Sequence, residues 1–180
     1  MSKLQARTAF DLLLAIDQRC RAHAAGLPSQ NAPARSWSGI GFRLAGHWLV
    51  APMQDIAEVL REPQLTRLPG VKPWVLGMTN LRGRLLPVMD LCELLDVEPS
   101  GARRRRVLVV DHAEVFAGLV VDEVLGLQHF PRESLEPAAP LQIRAAMAPF
   151  VQGHFQREQV WSVFSLQALV QSVEFRDVAL

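Results

Sequence analysis

From Ser38 onward the chain alternates in twos, and this rhythm constrains the fold more than any other feature. Ile40, Phe42 and Leu44 share one face with Gly41 and Arg43 opposite, the pattern of a half-buried strand. Ala45 and Gly46 suit a tight turn, and residues 47–51 return as a partner strand. Residues 56–61 read as a third strand, or as one helical turn leading into one. Residues 76–81 and 85–89 are strands about a turn at Arg82 and Gly83. Residues 90–95 (DLCELL) form a short helix capped by Asp90. Residues 107–110 and 116–124 are apolar on both faces, as strands between two covering layers are. A proline-rich irregular crossing follows over 131–149, then a hairpin of 151–155 with 160–164, and Ser165 caps a last helix to about Val173. Roughly nine or ten short strands at regular spacing predict a mainly β chain of the barrel class. One wide barrel would leave its interior unfilled at this length, so two barrels of about five strands each are the better geometry.

The first residues differ. Phe10, Leu13, Leu14 and Cys20 keep helical spacing, which predicts a helix over 4–24 with a stripe that needs a surface to cover. A polar, proline-punctuated linker runs to Ser36, so the expected division is 1–36 and 37–180.

Nineteen Lys and Arg against eighteen Asp and Glu leave a net charge of +1, which provides no field to steer nucleic acid. The longest apolar stretch, 115–121, is far short of the ~20 residues of a membrane-spanning helix, and the N-terminus lacks a clean leader pattern. A cytoplasmic chain with no direct membrane insertion is expected. Cys20 and Cys92 fit neither a disulfide framework nor a zinc site and are expected as free thiols. His23, His47, His112, His129 and His154 are too widely spaced to share a helical turn as a metal pair. Phosphate-cradling glycine motifs and a nucleophile elbow are both absent. Asp122 and Glu123 are neighbours in a strand, hence on opposite faces and useless as an acid–base pair. No catalytic residue, cofactor or metal is expected. The arginine run 103–106 reads as a solvated loop guarding the apolar strand after it. A nucleic-acid-binding barrel would use that run together with stacked aromatics, which the 7% aromatic content does not favour.

Residues 68–91, LPGVKPWVLGMTNLRGRLLPVMDL, are the informative segment. Pro69, Gly70 and Pro73 build a stiff turn, and Asn80 to Gly83 make a polar turn between two apolar strands that hold Arg82 at a barrel rim. Pro87 belongs at an edge or bulge. Trp74 fits core packing and a partner anchor equally well; Trp48 and Trp161 read as core.

The pattern GMTNLRGRLLPVMDL, with GFRLAGHWLVAPMQDIAEVL upstream and RVLVVDHAEVFAGLVVDEVLGL downstream, resembles the CheW-like family of bacterial chemosensory adaptors over about residues 38–173. With its N-terminal helix it is most similar to the members serving type IV pilus twitching systems. The resemblance implies two five-stranded SH3-like barrels, with an N-terminal and a short C-terminal helix, and a groove between them. It implies a non-catalytic scaffold, recruited to inner-membrane arrays, that couples a methyl-accepting chemoreceptor tip to the regulatory domain of a CheA-type histidine kinase. It implies an ion pair between Arg82 and Glu58, with Ile56, two positions before Glu58 and on its face, as a receptor contact. Gly77, Asn80, Leu81 and Gly83 line the groove, and Gly118 is a small residue of the second barrel. Arg84 departs from the family, standing where an aliphatic residue is usual. The rival expectation is a small-ligand-binding barrel or an enzyme using the interbarrel cleft.

Overall fold

Two curled sheets share the chain in an interleaved order, and alternation of side chains across them creates three apolar cores. The computed structural model describes residues 9–23, 36–101, 104–112 and 115–180. The strands are β1 (Ser36–Leu44), β2 (His47–Pro52), β3 (Glu58–Arg61), β4 (Val75–Leu81), β5 (Arg84–Asp90), β6 (Arg106–His112), β7 (Val115–Val121), β8 (Glu123–Pro131), β9 (Leu135–Glu136), β10 (Val151–Gln156) and β11 (Val160–Phe164). Four helices are described: α1 (Ala9–His23), α2 (Leu91–Leu94), α3 (Leu166–Gln171) and α4 (Val173–Arg176). One sheet has the order β8-β1-β2-β11-β10-β9 and the other β3-β6-β7-β5-β4. In the first, β11 runs parallel to β2; in the second, β5 runs parallel to β7.

Each sheet bends back on itself. The outer strands β8 and β9 are successive in the chain, joined by the 3-10 turn Arg132–Ser134. In the other sheet the segment leaving β3 returns to β4 through a bridge of Thr66 with Met78. Val50, Phe130, Phe155, Trp161 and Val163 fill the six-stranded sheet, and Leu86, Val88, Val107, Val109 and Val120 fill the five-stranded one. The opposite faces meet in a shared core, where Phe42, Leu44, Leu49 and Ala51 pack with Leu108, Val110, Ala117, Leu119 and Val121. Each fully buried Leu or Phe contributes about 1.5–3 kcal/mol relative to exposure. This arrangement explains why β6 and β7 are apolar on both faces: each face looks into a different core.

Several expectations need correction. The first sheet has six strands because the two-residue β9 pairs with β10 inside the expected irregular crossing. The apolar run 116–124 is not continuous but breaks at Asp122, which is 2% exposed. Asp122 accepts hydrogen bonds from Ala45 N (2.9 Å), Ser100 N (3.1 Å) and Ser100 Oγ (2.6 Å), and its backbone N–H donates to Arg43 O (3.1 Å). Those bonds turn the chain from β7 into β8, in the other sheet. The C-terminal helix is two helices, because Ser172 is extended (φ −66°, ψ 152°) and its Oγ caps Phe175 N. Ser36 belongs to β1 rather than to a linker. The rest of the expected linker, and the ends of the expected first helix, lie outside the described residues.

Both expected helix caps are in place. Asp90 caps α2, accepting from Cys92 N and Glu93 N, and Ser165 Oγ accepts from Ala168 N to cap α3. Pro87 departs from the edge or bulge expected of it: β5 lies between β7 and β4, and Pro87 pairs with Met78, one residue before the parallel pairing with β7 begins, so no partner on that side lacks its donor. α1 falls in a unit of residues 1–34, distinct from the unit of residues 35–180, and Leu13, Leu14 and Ile16 are exposed along it. Among the described residues no helix is long and apolar enough to cross a membrane.

Candidate partner-binding site

The turn joining β4 to β5 is a two-residue hairpin loop. Arg82 (φ 51°) and Gly83 (φ 85°) both lie in the left-handed region between the paired residues Leu81 and Arg84, as the type I′ turn requires. Glycine takes this conformation freely, whereas arginine does so at a cost. Asn80 Oδ1 accepts from Gly83 N (2.9 Å) and holds the turn from below. Arg82 Nη2 donates to Glu58 Oε1 (3.0 Å), linking the tip to the start of β3. The Arg82 side chain is 78% exposed and Glu58 only 29%: a fixed carboxylate orients a guanidinium whose other donors face outward.

A second ion pair stands beside the first. Arg84 Nη1 and Nη2 donate to Asp111 Oδ2 (2.6 Å) and Oδ1 (3.4 Å), and the guanidinium carbon lies 3.7 Å from the centroid of the Phe116 ring. The hydrogen bond from Arg84 holds the Asp111 carboxyl below the usual carboxylate range, so the pair stays ionised at neutral pH. Counting back in twos from Leu86, Arg84 falls on the inward face. Its guanidinium covers the Phe116 ring. Asp111 and Phe116 were not singled out from sequence, and Arg84 only as a departure from the family pattern. The available signal was a charged residue at an inward position of β5, but its partner lies on another strand 27 residues away.

Of the expected residues, Glu58, Asn80, Leu81, Arg82 and Gly83 converge at this end of the five-stranded sheet. Leu81 packs against that sheet's core. Gly77 lies along β4 with φ 146°, and a Cβ there would stand 2.5 Å from Thr66 O. The glycine therefore permits the Thr66–Met78 bridge that closes the sheet. Gly77→Ala is expected to cost about 1–3 kcal/mol of stability through that clash, measured by urea titration of the two proteins.

Two placements differ from expectation. Ile56 does not share a face with Glu58, because the chain bends at Ala57: Ile56 packs on the shared core, while Glu58 lies opposite Val109 of the five-stranded sheet's own core. Gly118 is not in the other barrel. It is buried on β7 of the same sheet as Arg82, where a Cβ would stand 2.7 Å from Val107 Cγ1, so its small size serves packing rather than a surface. Trp74 is 7% exposed and stacks on Phe175 at 6.3 Å, which makes it core. Trp161 is buried with Trp48 against it at 5.1 Å. Of the arginine run, Arg103 lies outside the described residues and the rest is only partly a solvated loop: Arg105 pairs with Asp90, the cap of α2, and Arg106 Nη1 donates to Arg105 O (2.9 Å). Beside the hairpin, Leu68, Met78, Asn80 and Leu85 line a shallow groove of about 340 Å³, and Leu85 is 67% exposed. No charged side chain lines this groove among the described residues.

Comparison with known proteins decides the family. The CheW-like domain model matches residues 38–174. The chain belongs to the CheW-like family. It is 57% identical over 181 residues to Protein PilI of Pseudomonas aeruginosa, with all of both chains covered. It is 34% identical to Protein FrzA of Myxococcus xanthus, covering 77% of this chain and 88% of that one. The crystal structure of the scaffolding protein TtCheW from Thermoanaerobacter tengcongensis superposes with a TM-score of 0.65 at 25% identity, over 76% of this chain and 94% of that one. This CheW-like chain is therefore of an adaptor family with chemosensory members, and the NLRG hairpin that carried the resemblance is its exposed, doubly braced tip.

Proposed function

We propose that this chain is a non-catalytic adaptor that couples the signalling tip of a methyl-accepting chemoreceptor to the regulatory domain of a CheA-type histidine kinase, in an array controlling type IV pilus twitching motility. Full-length similarity to PilI supports the pilus assignment, and the scaffolding neighbour supports passive assembly. The observation that carries the reading is Arg82, held on a rigid turn by Glu58 and directed outward. Gly77, Asn80, Leu81 and Gly83 belong to the same surface or support it, and Gly118 supports it from within; Ile56, parted from Glu58 by the bend at Ala57, is a receptor contact on the adjoining face. Two partners bound to one rigid body raise each other's effective concentration, and assembly follows from many modest contacts of about 800 Å² or less per partner. The protein remains cytoplasmic, drawn to inner-membrane arrays by its partners.

The test is reconstitution. The full chain is mixed with a receptor signalling-tip fragment and a kinase regulatory domain, and the complexes are followed by analytical ultracentrifugation. A ternary complex is expected; mutually exclusive binding of the two partners would refute the coupling role.

A further inference from the structure

At the far end of β5 from Arg82, about 20 Å away at the strand's rise per residue, the shared core opens to solvent. The opening is a cleft of about 450 Å³ between α2, the crossing that leads into β10, and the α3–α4 junction. Leu95, Phe150 and Leu169 form its floor, Ala146 stands at its edge, and Asp96 and Glu174 are its charged rim. Leu95 and Leu169 belong to the shared core, so the floor is rigid. Val173, at the start of α4, is 76% exposed and extends the apolar surface outward.

The charge at this cleft has one sign. No Lys or Arg lines it among the described residues. Of the nearby cations, Arg176 Nε donates to Val170 O (3.3 Å), and Arg144 acts on His47, whose pKa it helps to lower after burial. Neither Asp96 nor Glu174 has an ion pair among the described residues. An apolar floor with two uncompensated carboxylates complements an aliphatic side chain flanked by cations. An amphipathic helix presents that combination on one face.

We propose that this cleft is a second docking surface, which takes the apolar face of a basic amphipathic helix from a partner protein: aliphatic side chains against Leu95, Phe150 and Leu169, and lysine or arginine over Asp96 and Glu174. Its distance from the hairpin leaves both surfaces usable at once. The proposal rests on the cleft alone and stands or falls apart from the Arg82 site.

The experiment uses the full chain and a synthetic helix of about 15 residues with leucines at i, i+3, i+4 and i+7 and flanking lysines, titrated by fluorescence anisotropy and by amide chemical shifts. A second peptide carries glutamates in place of the lysines. The lysine peptide is expected to shift the amides of Phe150, Leu169 and Glu174. Ala146→Trp, which fills the cleft from its exposed edge, is expected to weaken it about tenfold or more. Glu174→Lys is expected to slow association and flatten its salt dependence. Arg82→Glu is expected to leave peptide binding unchanged. Equal affinity for the two peptides, shifts confined to other surfaces, no binding, or indifference to Ala146→Trp in a variant with unchanged melting would each overturn the proposal.

Discussion

Arg82→Glu is expected to abolish binding of the receptor tip or the kinase regulatory domain while leaving the fold in place. The two effects separate because the same pair has a small structural and a large presentational role. Arg82 is 78% exposed, so its ion pair with Glu58 contributes about 0–1 kcal/mol to stability, and the melting temperature moves by a few degrees at most. At an interface, the loss of a charge fixed for recognition costs about 2–5 kcal/mol, and reversal adds repulsion; a Kd weakened by at least about thirtyfold is expected. The exchange Arg82→Glu with Glu58→Arg sharpens the test. It restores an ion pair across the same gap but turns the wrong charge outward. Thermal melting should find the double variant as stable as the parent, and isothermal titration should find it still unable to bind. Rescue by the exchange would show that the pair matters only as a brace, and a large fall in melting temperature for Arg82→Glu alone would return the residue to a structural role.

The second large effect is expected at Asp122, on the stability side. Its carboxylate takes hydrogen bonds from the β1–β2 turn at Ala45 and from the backbone and hydroxyl of Ser100, so it pins the hairpin of one sheet to the junction where the chain enters the other. Asp122→Ala leaves these donors without an acceptor, at a cost of about 3 kcal/mol, which for a chain of this length lowers the melting temperature by roughly 6–12 °C. Cys92 offers an independent readout. Its thiol lies 3.8 Å from Asp122 Oδ1, and burial together with the charges of Asp122 and Asp90 pushes its pKa up to about 12. In the parent, a thiol reagent at neutral pH should therefore reach the exposed Cys20 and leave Cys92 unmodified. In Asp122→Ala the like charge is gone and the junction is loosened, and both thiols should react. Unchanged melting with Cys92 still protected would remove Asp122 from the role given to it. Asp122→Asn, which keeps one acceptor oxygen, should fall between the two.

Much of this molecule could be read in its residues, and what could not shares one cause. Turns and caps are local chemistry: Ala45-Gly46 and Arg82-Gly83 announce their hairpins, and Asp90 and Ser165 sit where helix caps belong. The ion pair of Arg82 with Glu58 came from the family pattern rather than from spacing. Residues whose meaning depends on a distant strand were illegible. Asp122 looks like one more residue in an apolar run until Ala45 and Ser100 are brought to it. Arg84 looks like a solvated charge until Asp111 and Phe116 lie beneath it. Gly118 shows its constraint only when Val107, Leu86 and Val88 close around it. The short β9 lies in a proline-rich stretch with no period, and its pairing comes from β10 alone. The bend at Ala57 that parts Ile56 from Glu58 has no marker either, since neither glycine nor proline produces it.

The parallel pairing of β2 with β11 has a consequence for how the chain is made. Trp48 to Val50 pair with β1 on one side but find their second partners in Trp161 to Val163, far later in the chain, whereas β3 to β7 are contiguous in the chain and complete their sheet among themselves. On the ribosome the five-stranded half can close while the first hairpin still waits with Leu49 and Val50 uncovered. Long-range closure of this kind is slow and leaves apolar surface open to wrong partners in the interval, so the newborn chain is most in need of chaperones until β11 emerges.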